Sequence, residues 1–362
     1  VLENSTLQRT PLFEVHRALG AKLVPFAGWE MPVQYTSILE EHQAVRTKAG
    51  VFDISHMGQL EVSGPGAARW LNSVLTNNAE TLSPGQAHYT FLLNEAGGVI
   101  DDLFLYRIDV ERFLLVVNAS KAEEDLQALR STLVPDAELV DLRATHAALA
   151  VQGPEAVALF SPLFPESRSL PDRNGVITFF ESAHEVVAAR TGYTGEDGFE
   201  IFFAAELAET FWQRIMNAGV TPCGLGCRDT LRLEVCYPLN GNDLSPERTP
   251  LEAGLGWAVD LSKAPFPGRD VLIKQKETGV PSKLAAFTMI DSGPPPRAHY
   301  PVYFKGNQVG EVCSGTLSPS LRIGIGMAYL PLAASAPGTE IEIDIRGKRF
   351  RAKTAKKPLY KK

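Results

Sequence analysis

Two neighbouring carboxylates stand out in the stretch Gly97-Gly98-Val99-Ile100-Asp101-Asp102-Leu103, where an acidic pair opens an apolar run just after paired glycines. Along a strand, adjacent side chains point to opposite faces, so one acid can face a cavity while the other faces solvent or caps the turn. Acids in such different surroundings hold different pKa values. Taken alone, the stretch reads first as a solvated acidic turn.

A second stretch runs from Arg190 through Thr191-Gly192-Tyr193-Thr194-Gly195-Glu196-Asp197-Gly198 to Phe199-Glu200. Its glycines permit close backbone approach or positive φ. Glu200 enters the apolar run Ile201-Phe202-Phe203. A carboxylate there can accept two parallel N–H bonds from a planar heterocycle such as an aminopyrimidinone. The glycine spacing does not match a dinucleotide fingerprint, and no strand-to-helix context supports one. Alone, this is a Gly-rich turn between strands.

In the third stretch, Cys223 to Glu234, a Gly-rich entry leads into a charged helix with Arg228 and Arg232 one turn apart. Asp229 can pair with Arg232 at i, i+3, worth only about 0.2–0.5 kcal/mol when exposed. The helix N-terminus can receive an anion, but a solvated helix face is the plainer reading. Cys223 and Cys227 are four apart, yet Cys236 and Cys313 form no second close pair. Ordinary thiols are therefore favoured over a structural metal.

Smaller signals remain. His56, in Asp53-Ile54-Ser55-His56-Met57-Gly58, is read as a hydrogen-bonded structural histidine rather than a catalytic base. Ser55 and Ser120 lack the spacing of a nucleophile elbow, against a serine hydrolase. Asn118 either hydrogen-bonds a ligand or caps the following helix. Trp257 is either a stacking surface or core packing. The stretch from Arg346 to Lys362 holds nine Lys or Arg residues in an otherwise acidic chain, which suggests a patch for an acidic partner.

The elements that must position these groups alternate between helix and strand. Helices are predicted over 37–48, with Ser37 and Glu40 as a capping box and Gly50 as the stop, and over 121–133, 205–216 and 228–235. Strands are predicted over 57–62, 89–93, 103–108, 113–117, 149–151, 186–189 and 198–203, with a reversal at Asn94–Gly98. After about residue 278 the pattern changes. Pro294-Pro295-Pro296 is extended punctuation, and short strand-like runs follow at 301–304, 308–313, 341–345 and 349–353. The expected fold class is thus α+β, with residues 1–278 as two interleaved α/β subdomains and 279–362 as an all-β, barrel-like C-terminal domain.

A chain of 362 residues has room for two or three domains, and a formal charge of -7 argues against a general nucleic-acid binder. No apolar run reaches the roughly 18 residues that span a bilayer. Val1-Leu2-Glu3-Asn4 lacks the basic and apolar regions of a secretory signal. Four scattered cysteines suggest a reducing compartment.

In order and spacing, the stretches resemble the glycine cleavage T-protein (aminomethyltransferase) family. The resemblance begins at Arg9-Thr10-Pro11-Leu12-Phe13 and runs through Phe26-Ala27-Gly28-Trp29, Phe52 to Met57, the acidic turn, Val151-Gln152-Gly153-Pro154, Arg190 to Glu200 and Gly224 to Glu234. It extends to Ser314-Gly315-Thr316 and Lys357-Pro358-Leu359-Tyr360, so it covers nearly the whole chain. It implies a three-domain cloverleaf around a central folate cavity. It also implies transfer of the one-carbon unit of an aminomethyl-lipoyl arm on H-protein to tetrahydrofolate as co-substrate, giving methylene-tetrahydrofolate, ammonia and the dihydrolipoyl arm. By position in the family motifs, Asp102 matches the essential aspartate and Glu200 the residue that grips the pterin, with Tyr193 and Met57 lining the pocket. Arg228, Arg297 and Tyr360 match other positions near the folate, and Trp257 a cavity aromatic; Asn118 joins these as a binding candidate. Lipoylated H-protein is the expected partner, with no metal, nucleic acid or membrane, and a monomer in the bacterial cytoplasm rather than a mitochondrial matrix. Two residues depart from the pattern: Leu114, where some members have tyrosine, and Arg322, where glycine is usual. A folate-dependent demethylase on the same fold and a non-catalytic folate-binding protein are the alternatives.

Overall fold

The computed structural model describes residues 7–170 and 173–362; the Val1–Asn4 segment lies outside them. The chain forms two compact units. The first comprises residues up to Ser73, Asn78–Thr90 and Leu103–Arg228; the second comprises Val74–Asn77, Phe91–Asp102 and Asp229–Lys362.

The first unit is built on a six-stranded sheet in the order Val176–Glu181, His184–Ala189, Gly198–Ala204, His146–Gln152, Gly50–Asp53 and Thr221–Pro222. Val51, Leu149, Val151, Phe199, Ile201 and Phe203 alternate onto one face and meet Phe160, Phe211, Trp212 and Ile215 from the helices Ala156–Phe160 and Ala208–Asn217. Burying each such side chain contributes about 1.5–3 kcal/mol. The expected helix over 205–216 is broken at its start, where Ala205–Leu207 is a 3₁₀ turn. A second sheet, in the order Gln86–Leu93, Val99–Asp109, Arg112–Val117, Gly58–Ser63 and Glu138–Asp141, carries the chain between units within its first two strands.

The helix Ile38–Thr47 starts as expected, with Ser37 Oγ accepting from the Glu40 N–H. Its stop is not Gly50. The helix ends at Lys48, and Gly50 opens the next strand. A Cβ on Gly50 would lie 2.5 Å from Val45 Cγ2 and 2.6 Å from Cys223 Sγ, so close packing explains this glycine.

The second unit contains a closed barrel in the order Ser282–Met289, Gly324–Pro331, Asn307–Leu317, Pro301–Phe304, Glu340–Ile345 and Lys348–Ala355. Phe287, Val302, Leu330, Ile341, Ile343 and Ala352 fill it. The strands at 282–289 and 324–331 carry weaker sequence patterns, but closure requires them. Glu234, at the end of the helix Leu225–Glu234, is fully buried. Its carboxylate accepts bonds from Ser318 Oγ and from the Ser320 N–H and hydroxyl, while its carbonyl accepts from the N–H groups of Leu359 and Tyr360.

Candidate functional site

In the first unit the site is organised around Glu200. Strand register sets Glu200 opposite Ala189 and Ala150, and Ala150 opposite Phe52. Directly paired residues share a sheet face, so Glu200 and Phe52 lie on the face away from the aromatic core. The buried Glu200 carboxylate has unequal oxygens. Its Oε2 accepts from Thr191 Oγ1 at 2.6 Å and from Tyr106 Oη at 3.2 Å. Its Oε1 accepts no hydrogen bond among the described residues. Burial, reinforced by the Glu200 charge, pushes the Tyr106 phenol well above its ordinary range, so it remains a neutral donor.

The loop before Glu200 is fixed on several sides. Gly192 and Gly198 leave no room for a Cβ beside Gln152 and the Val151 carbonyl. Thr194 Oγ1 donates to Gln152 Oε1, and Gln152 Nε2 donates to the Thr191 carbonyl. Arg46 pairs with Glu196 at 2.8 Å, both side chains being almost fully buried, and donates to the Thr194 carbonyl. The Arg228 guanidinium lies 4.9 Å from the Tyr193 ring centre and 5.9 Å from that of Phe52. Burial lowers the Arg228 pKa, while the Glu200 charge opposes that shift. Met57 and Asn118 are half-buried in this unit. Asn118 is not the cap of the following helix; that position is Lys121. Leu114 pairs directly across the sheet with Tyr106, which donates to Glu200.

His56 differs from its reading in sequence. It is buried, and Nδ1 has no hydrogen-bond partner among the described residues. Burial, with help from the Arg228 charge and against the pull of Asp53, moves its pKa down to about 4. The turn that holds it is anchored by the buried Asp53, whose Oδ2 is bonded to Thr10 Oγ1 at 2.6 Å and His16 Nε2 at 2.9 Å. Burial raises the Asp53 pKa, but His16, Ser55 and Thr10 outweigh it and hold the carboxyl below its ordinary range.

Cys223 and Cys227 meet the buried Glu41, and the three donor groups lie within 4.8 Å of one another. Glu41 already accepts from the N–H groups of Tyr35, Thr36 and Gly224. Burial pushes the Cys227 thiol well up, which keeps it protonated. The arrangement fits a carboxylate capping the helix that begins at Leu225.

In the second unit the acidic turn is a five-residue reversal. Asn94 Oδ1 accepts from the N–H groups of Ala96 and Gly98, and Gly97 has φ +80°. A Cβ on Gly98 would lie 1.7 Å from the Pro246 carbonyl oxygen. Both acids lie inside the strand Val99–Asp109, with Asp101 buried and Asp102 half-buried, so neither is a solvated turn residue. Asn240 Nδ2 donates to Asp102 Oδ1 and to the Ile100 carbonyl, each at 3.3 Å. Arg232 is no solvated helix residue either. It is buried and bonds Asp229, Asp243 and Ser314. Trp257 is 68% exposed, which overturns core packing. Arg297 is exposed and Tyr360 half-buried.

Part of the basic C-terminal strip faces acids within the barrel, with Arg351 paired to Asp291 and Arg349 to Glu342. Cross-strand register sets Arg349, Arg351 and Lys353 opposite Asp344, Glu342 and Glu340. Sequence alone missed Tyr106, Thr191, Asn240 and this pairing. A lone hydroxyl in the apolar run 103–106 was the available signal for Tyr106; Asn240 gave none.

The comparisons bear on both units. The GCVT N-terminal domain model matches residues 12–263, and the glycine cleavage T-protein C-terminal barrel domain model matches residues 283–361. The chain belongs to the glycine cleavage T-protein family. Relatives named aminomethyltransferase include one from Anoxybacillus flavithermus, 46% identical over 98% of this chain and 99% of the other, and one from Symbiobacterium thermophilum, 45% identical over 99% and 98%. The crystal structure of the glycine cleavage system aminomethyltransferase T from Bartonella henselae superposes with a TM-score of 0.93 at 35% identity, covering 98% of each chain. This T-protein is therefore an aminomethyltransferase of the glycine cleavage system. The family is folate-dependent, with the folate as co-substrate, and works with the H-protein of its system. Among the described residues no helix is long and apolar enough to cross a membrane.

Proposed function

We propose that Glu200 holds the pterin of tetrahydrofolate and that Asp102 is the catalytic carboxylate of this T-protein. The observation that carries the folate assignment is the asymmetry of Glu200: one oxygen is occupied by Thr191 and Tyr106, and the other is left for a ligand. A buried carboxylate oriented in this way is ready to accept N–H bonds from a planar heterocycle without reorganising. Tyr193, Met57, Asn118, Arg228, Trp257, Arg297 and Tyr360 complete the proposed binding set.

In the reaction, the carbon of the aminomethyl group gains bonds to two folate nitrogens and loses its bonds to nitrogen and sulfur. The two folate N–H protons leave with ammonia and the thiol. Little acid–base power is needed; holding the reactants in line supplies several kcal/mol. Asp102 stabilises the positive charge that develops on the attacking folate nitrogen. Its bond from Asn240 fixes Oδ1 without neutralising the charge. The donor is the lipoylated H-protein, and neither metal nor nucleic acid takes part. The chain acts as a monomer, in the bacterial cytoplasm.

Single-turnover ammonia release from aminomethyl-lipoyl H-protein tests the assignment. Asp102→Asn is expected to retain folate binding and lose most turnover; near-normal turnover in that variant rejects Asp102. Glu200→Gln is expected to weaken folate binding roughly 10- to 100-fold, the worth of a charge-assisted hydrogen bond of about 1.5–3 kcal/mol. An unchanged affinity rejects Glu200.

A further inference from the structure

His56 is a buried polar group that the proposed site does not use. The residue is 3% exposed, and its ring meets Phe26 edge-on with ring centres 5.7 Å apart. Buried imidazole nitrogens normally find a partner, because leaving one without a hydrogen bond costs about 1–3 kcal/mol. Here Nδ1 has none among the described residues. Histidine, moreover, is held in place by its own turn: the Ser55 N–H donates to Asp53 Oδ1, and Ser55 Oγ bonds the Ala148 carbonyl. The scaffold thus fixes the residue while leaving its nitrogen unbonded.

A second unpartnered group occurs in the same unit. Arg228 Nη1 is buried with no hydrogen-bond partner among the described residues. The two groups are close enough for the guanidinium charge to act on the imidazole, and the guanidinium charge is also coupled to Glu200. Burial, helped by the Arg228 charge, keeps His56 neutral, so the ring offers one donor and one acceptor. No bond to Nδ1 selects the tautomer. An incoming ligand can therefore set it. Two unsatisfied groups of this kind, linked through the Arg228 charge to a carboxylate with an open oxygen, call for a single polar molecule that satisfies them together.

We infer that His56 is a folate-binding residue: a neutral imidazole that, together with Arg228, supplies hydrogen bonds completed only by the bound folate. This rests on the folate reading of Glu200. It adds to that reading a residue whose polarity destabilises the empty protein and is recovered on binding. A purely structural His56, satisfied by a trapped water, would leave folate affinity unchanged when replaced.

The test measures tetrahydrofolate affinity of the full chain by calorimetric titration, together with the Tm of the folate-free protein, for the wild type, His56→Phe, His56→Gln and Glu200→Gln. His56→Phe is expected to weaken folate binding about tenfold while the folate-free Tm stays equal or rises. His56→Gln is expected to recover part of the affinity. Wild-type affinity in His56→Phe overturns the inference. Wild-type affinity in Glu200→Gln, or no binding by the wild type, instead rejects the underlying folate reading. Should His56→Phe fail to fold, ¹⁵N NMR of the His56 ring in the wild type decides: a shift of either ring nitrogen on folate saturation supports the inference, and unchanged shifts overturn it.

Discussion

The two glycine-rich turns that precede the proposed working carboxylates are built differently. The loop 190–198 is fixed within its own unit by buried charge and amide contacts, namely Arg46 with Glu196 and Gln152 with Thr191 and Thr194. It delivers Glu200 with one oxygen already occupied. The reversal 94–98 is fixed by close packing against the carbonyl of Pro246, and it leads to Asp102, which accepts an amide bond of 3.3 Å from Asn240. The first design immobilises a carboxylate for binding. The second sets a half-buried carboxylate within a strand, for the proposed role of an interaction that strengthens as charge develops.

Breaking the first turn gives the largest effect. Arg46→Met leaves Glu196 buried without its cation, and breaking a buried pair in this way costs about 3–5 kcal/mol. Urea unfolding is expected to show that loss, and folate affinity to fall with it. A loss under 1 kcal/mol means that the loop is held mainly by Gln152.

Acid should expose the same unit through His56. Its folded pKa, about 4, lies below the ordinary value of 6.5, so the unfolded chain binds the proton first. Stability is therefore expected to fall as pH drops from 6.5 towards 4, by on the order of 3 kcal/mol from this residue. His56→Phe should flatten that slope in denaturation curves taken across the range, and an identical slope in the variant refutes the assignment.

Gly98→Ala tests the second turn by overpacking. The Cβ can be placed only by moving backbone, at about 1–3 kcal/mol. The expected signature is reduced turnover with near-normal folate affinity, the reverse of the Arg46→Met pattern. If both variants lose the same property, the contrast between the turns is wrong. Tyr106→Phe is milder. It removes one of two donors to Glu200 Oε2 and should cost about 1 kcal/mol in folate binding. The smallest effect belongs to neither turn. Arg322 occupies the left-handed region at φ +57°. Arg322→Gly should gain about 0.5–1 kcal/mol in thermal unfolding with turnover unchanged.

Much of this was legible from period and punctuation. The apolar run Ile201-Phe202-Phe203 marked the strand Gly198–Ala204, and Ser37 marked its helix start. Arg322 takes a positive φ that its sequence context, Ser318-Pro319-Ser320-Leu321, did not by itself signal. Arg232 was misread because charge in sequence says nothing of its partner, and Asp243 lies off the helix and cannot be paired with it by helical spacing. His56 was misread in the opposite sense. The histidine was taken to be hydrogen-bonded, and a missing bond at Nδ1 leaves no mark in sequence.

The buried Glu234 carries a consequence for how the chain is made. Its carboxylate waits for Ser318 and Ser320, 84 and 86 residues further on, and its carbonyl waits for the last turn of the chain. At about 5–20 residues per second, a ribosome takes roughly 4–17 s to supply the first of these partners. For that interval the helix ends in an acid that cannot be buried, so nascent chains interrupted before residue 318 should be held open by their own charge rather than close prematurely.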